Sequence, residues 1–145
     1  MSAIAVSEIR RRLLAAIEQA RSAAESRRAR TDTAARDYEA FLGERAVPVF
    51  HQFATALTAE GHPFTVFTPA SSVRLASGRS SEEFIEIVLD DSSDPPAVVG
   101  RTSRGRGRRM VSSERALRDG AAIADLTEED VVEFLLEEVV LLVAR

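Results

Sequence analysis

Apolar residues recur at intervals of three and four from the start of the chain: Val6, Ile9, Leu13, Ala16 or Ile17, and Ala20. That spacing predicts an amphipathic helix, with Ser2 or Ser7 available to cap it. From Arg21 to Thr33 the only apolar residues are alanines, and arginine and serine dominate. Such a stretch has good helix propensity and little to bury. It reads as a solvated helix, or as a frayed joint (a break near 21–33) before a second start at Thr31 or Asp32. The stripe resumes through Ala34 or Ala35, Tyr38, Phe41 or Leu42, Val49, Phe53 and Leu57. Pro48 interrupts it. Proline suits the first turn of a new helix or kinks a continuous one, so a kink or break is expected near 46–48. Gly61 is a suitable stop, with Pro63 behind it. Residues 1–60 thus read as a helical arm, made of one helix or a pair.

After Gly61 the period changes. The segments "PFTVFT", "SVRLA", "FIEIVLD", "AVVGRTSR" and "RRMVSSER" are short and rich in β-branched or aromatic residues. Turn formers separate them at Thr68-Pro69, Ser77-Gly78, Asp94-Pro95-Pro96 and Gly105-Arg106-Gly107. Short links between successive strands favour an antiparallel meander. "FIEIVLD" is the most apolar and belongs at the centre, with Ile85, Ile87 and Leu89 on one face. The last helix is well marked. Thr127 is its N-cap, and Asp130 sits at the capping-box position usually held by Glu or Gln. Leu126 and Val131 form a hydrophobic staple, and Glu128, Glu129 and Asp130 oppose the positive end of the helix dipole. The expected fold is α+β: a helical arm, then a body over 61–145. The body has four to five strands over 64–115 and a helix over 127–143 packed on the sheet.

The body of that helix, "VVEFLLEEVVLLVA", is apolar nearly all round and needs more than one partner surface. Leu135, Leu136, Val139, Val140, Leu142 and Val143 are therefore the expected interface residues. They are buried either inside this chain or against a partner.

Composition adds constraints. An apolar fraction of 45% and a charged fraction of 29% are ordinary globular values. There is no cysteine, which excludes disulfides, thiolate metal sites and cysteine nucleophiles. No apolar run is long enough to span a bilayer, so no membrane partner is expected. The opening "MSAIAVSEIRRR" has the wrong order for a signal peptide, and the cytoplasm is the default location. The net charge of -4 conceals blocks. Residues 98–118 carry seven arginines against one acid, and residues 119–145 carry eight acids against one arginine. Such blocks favour contact between opposite segments, within or between chains. All nineteen basic residues are arginine, so arginine content alone says less than arginine placement.

Candidate chemistry is thin. His51 and His62 are the only histidines, too few for a zinc site without cysteine. No G-x-S-x-G elbow, Walker loop or Rossmann glycine pattern occurs. "DDSSDPP" fails as a calcium loop, because the sixth and twelfth positions from Asp90 are Pro95 and Arg101. No catalytic residue, metal or cofactor is assigned. What remains is "RTSRGRGRRM", with Arg101, Arg104, Arg106, Arg108 and Arg109 as anion- or partner-binding candidates. A three-residue loop sets Arg104 against Arg108, and an Arg106-Gly107 turn sets Arg104 against Arg109. Either way, two arginines oppose each other at the tip, an arrangement that an anion relieves. Arg27, Arg28 and Arg30 extend the patch if the first helix packs nearby.

These features point first to a non-catalytic protein–protein interaction module, a homo-oligomer or a subunit or adaptor of a larger complex. The alternative is a nucleic-acid-binding accessory protein that grips phosphates through hairpin 101–109. Against the alternative, the chain is acidic, and no aromatic interleaves the arginines for base stacking. An enzyme ranks third.

Overall fold

A computed structural model describes residues 3–144. Helix α1 runs without interruption from Val6 to Phe41. The stretch 21–33 is therefore not a joint: alanine, arginine and glutamate are strong helix formers and carry it unaided. Ser7 lies within the first turn, Ala5 occupies the N-cap with no side-chain bond, and Ser2 lies outside the described residues. Near the expected kink the backbone widens instead of breaking. Leu42–Ala46 form a π-helical turn, and the Val47 amide reaches the Leu42 carbonyl. Pro48 then falls in the first turn of α2 (Val47–Ala59). The wider turn absorbs the residue whose ring and missing N–H would disrupt a regular helix interior. Gly61, at φ +87°, ends α2. The His62 amide donates to the Leu57 carbonyl at 2.8 Å and the Gly61 amide to Thr58 at 3.1 Å, a Schellman closure.

Five strands follow: β1 (Phe64–Phe67), β2 (Val73–Ser77), β3 (Phe84–Asp90), β4 (Ala97–Arg106) and β5 (Arg109–Ala116). They pair antiparallel in chain order, with β3 at the centre. A single 3-10 turn (Ile123–Asp125) leads into α3 (Glu128–Val143). The cap of α3 is a full capping box. Thr127 Oγ1 accepts from the Asp130 amide at 3.2 Å, and the Thr127 amide donates to the Asp130 carboxylate at 2.8 Å.

One face of the sheet carries the core. Val73, Leu75, Ile85 and Ile87 pack with Val49 and Phe50 of α2 and with Val131, Phe134, Leu135 and Leu142 of α3. Only the last turns of α1 join them, through Ala34, Tyr38 and Phe41. The buried Tyr38 hydroxyl donates to the Ser71 carbonyl at 2.6 Å, which ties this end of α1 to the β1–β2 turn. Gly100 is the floor under Phe134: a Cβ at this strand position would overlap the phenyl ring.

Candidate functional site

From Ala3 to Thr33 no residue of α1 is buried. Thirty-six helical residues make a rod about 54 Å long, and most of it stands clear of the body. Val6, Ile9, Leu13 and Ile17 keep 81%, 51%, 57% and 39% of their surface in water. Among the described residues, therefore, nothing covers the stripe that predicts an amphipathic helix. Near its base the arm is held by Arg30, whose guanidinium makes two bonds to the Asp94 carboxylate at 3.0 and 2.9 Å. That bond holds the Asp94 carboxyl below its usual range. The β3–β4 loop lies along the helix from Ala24 to Asp32.

The arginine hairpin lies at the other end of β4. Ten residues, about 33 Å at strand rise, separate it from the arm's anchor. Arg27, Arg28 and Arg30 therefore do not extend the patch. The hairpin register differs from both expected ones. Arg106 pairs with Arg109, Gly105 with Met110, and Arg104 with Val111. The two-residue turn is Gly107-Arg108, with Gly107 at φ +65°. A hairpin turn of this hand needs positive φ at its first central residue, which glycine adopts without strain and arginine does not. Centring the turn on Gly107 thus opposes Arg106 to Arg109, while Gly105 stays in the strand.

β3 pairs with β4 only as far as Ser103, so the hairpin runs on as a free two-stranded ribbon. Strand alternation puts Arg104, Arg106 and Arg109 on one face of it. Arg104, Arg106, Arg108 and Arg109 have no carboxylate within ion-pair distance among the described residues. Arg101, the fifth candidate, is set apart. It sits on the opposite face in a cross-strand row: Arg74 to Glu86 at 2.8 Å, Arg101 to Glu86 at 3.9 Å, and Arg101 to Glu114 at 2.7 Å. The oppositely charged blocks also meet inside the chain. Arg115 reaches Glu137 and Glu138 at 2.8 and 3.0 Å, and Arg118 reaches Asp130 at 3.3 Å.

The six expected interface residues of α3 divide. Leu135, Val139 and Leu142 are buried in this chain's own core, and Val143 is packed against it. Leu136 and Val140 face solvent, with Leu141 beside them. The resulting apolar strip is short and is bordered by the exposed Glu133 and Glu137.

A cleft of about 660 Å³ opens between the end of α1 and the sheet, lined by Tyr38, Ser71, Glu86, Asp91 and Arg101 among others. Three of its polar groups, Glu86, Arg101 and Tyr38, are already engaged. Glu86 faces two guanidiniums, and Tyr38 donates to a main-chain carbonyl. Burial, with the Glu86 charge adding to it, pushes the Tyr38 phenol above its ordinary pKa. Among the described residues no three His, Asp or Glu side chains gather where they could hold a metal ion. No described helix is long and apolar enough to cross a membrane. No family model matches the chain, and no curated protein or solved structure matches it either.

Proposed function

We propose that this protein is a non-catalytic interaction module that self-associates through the free arm of α1, as a homo-oligomer or as a subunit of a larger assembly. The observation that carries this reading is the stripe of Val6, Ile9, Leu13 and Ile17, which no other element among the described residues covers. Complete removal of such side chains from water stabilises by about 1.5–3 kcal/mol each, so an uncovered row of them favours a partner surface. Half of the α3 candidates are used in the chain's own core, which shifts the weight of the reading from α3 to the arm.

Light scattering tests it. The parent chain is expected to show an oligomer at micromolar concentration. Leu13→Asp should give the monomer mass with the body's melting transition unchanged, because Leu13 lies on the exposed arm and outside the core. A parent chain that is monomeric throughout would sink the reading.

A second reading has its own observation: four arginines on a projecting ribbon with no carboxylate partner among the described residues, two of them directly opposed. Like charges facing each other across strands are unfavourable, and a phosphate placed between them reverses the sign. On this reading the hairpin grips a nucleic-acid backbone without reading bases. Binding to duplex DNA should weaken steeply with salt. The triple variant Arg104→Ala, Arg106→Ala, Arg109→Ala should lower the log–log salt slope by about 0.9 for each lost phosphate contact. Absence of binding at low salt, or a slope indifferent to these substitutions, removes this reading.

A further inference from the structure

Resting on the self-association reading, we infer that the arm pairs with the arm of a second copy in antiparallel orientation, with Leu13 of each chain opposite Ala16 of the other. The seam has a direction written into it. Read at alternating intervals of three and four, it is Val6, Ile9, Leu13, Ala16, Ala20, Ala23. The large residues occupy the first half and the alanines the second.

In a parallel, in-register pair each layer repeats one residue type. Three layers then hold two large side chains each, and three hold two alanines. The distance between packed helices follows the side chains at the contact, over a range of about 8–10 Å. Such a pair has to splay at one end or leave its alanine layers unfilled. In the antiparallel pair the layers become Val6 with Ala23, Ile9 with Ala20, and Leu13 with Ala16, each occurring twice. Every layer then combines one large and one small residue, so a single separation serves the whole seam and knobs meet holes throughout.

Two further features agree with that register. Charge is the first. Arg10, Arg11 and Arg12 form a run with Glu8 as its local partner. In a parallel pair Arg12 of each chain shares a flank, at nearly the same level, with Arg10 of the other, so like charges come within about a Debye length of 8 Å or a little beyond it. The antiparallel pair sets Arg10 of each chain beside Ile17 of the other, where its methylene stem lies along the apolar side chain, and Arg12 beside Gln19. Length is the second. The register brings Ala3 of one chain level with Ser26 of the other. This is close to where the β3–β4 loop begins to lie along the helix. The free part of each arm is used fully, and the two bodies stand at opposite ends.

The chain has no cysteine, so introduced thiols report without interference. Ile9→Cys and Ala20→Cys are oxidised separately and as a mixture. The antiparallel seam predicts a covalent dimer only in the mixture. Within either variant alone the like thiols lie about eleven residues, or 16 Å, apart along the axis, too far for a disulfide. A covalent dimer of Ile9→Cys alone overturns the orientation while self-association stands. A monomer by light scattering overturns both. A non-covalent dimer that cross-links in neither form rules out the stated register and overturns the proposal, while self-association stands. A second variant leaves the seam untouched: Glu25→Cys carrying a spin label on the outer face. Antiparallel arms put its axial separation at about 32 Å. A distance set only by the width of two helices overturns the proposal.

Discussion

Two residues of one strand show how little composition decides. Arg101 and Arg104 are three apart, so the pleat sends them to opposite faces. Arg101 meets Glu86 and Glu114, whereas Arg104 faces Val111. From the sequence they read as members of one cluster, because the face of each depends on a register that the turn alone fixes. Gly100 is a second case. A glycine inside a strand signals close approach, but its neighbour, Phe134, is thirty-four residues away and cannot be read from the local pattern. Arg115 closes the same site from β5, its guanidinium 4.8 Å from the centre of the Phe134 ring. Gly100→Ala should destabilise the fold by about 1–3 kcal/mol, the usual cost of overpacking, seen as a lower urea midpoint. Adding Phe134→Leu should return part of that loss. An additive, larger loss in the double variant would show that the ring is not what the new methyl meets.

Elements with local signals were legible. Each of the five strands overlaps a β-rich segment bounded by turn formers, although β2 and β5 run one residue past theirs and β4 runs two, through Gly105 and Arg106, and the meander follows from their short links. The start of α3 was readable to the residue, because a capping box and its staple are contained in six consecutive positions. Thr127→Ala removes one side of that box and should cost about 1 kcal/mol in thermal or urea unfolding. Thr127→Ser should recover most of it, and equal losses from the two substitutions would contradict a capping role. Legibility failed where two readings shared one pattern. The β4–β5 turn is neither the expected Gly105-Arg106-Gly107 loop nor the Arg106-Gly107 turn but Gly107-Arg108, because Gly107 takes the position that requires positive φ. The π-helical turn over Leu42–Ala46 could not be told from a kink, since Pro48 announces a disturbance and does not say how the backbone absorbs it.

At the scale of the whole molecule, the all-apolar appearance of α3 had two solutions, and most of its surface is satisfied within the chain by the sheet and α2. The sequence held both outcomes because burial by one's own sheet and by a partner select the same residue types. The projection of α1 was legible only as a lack of large side chains between Arg21 and Thr33. That the more apolar segment before it is also free depends on where the body ends, which is a long-range fact. One consequence concerns trypsin. The chain contains no lysine, so every tryptic site is an arginine, and Arg10, Arg11, Arg12, Arg21, Arg27, Arg28 and Arg30 all lie on the arm. A protease needs a locally opened backbone, and helix without tertiary support opens at low free energy. Brief digestion followed by mass spectrometry should therefore shear the arm first and leave a resistant fragment starting near Thr31, with Tyr38 and Phe41 still in place. Cleavage at Arg10 through Arg21 should slow as protein concentration rises, since a paired arm is harder to open than a lone one. The arm would then be the most fragile part of the molecule when dilute and a protected one when concentrated.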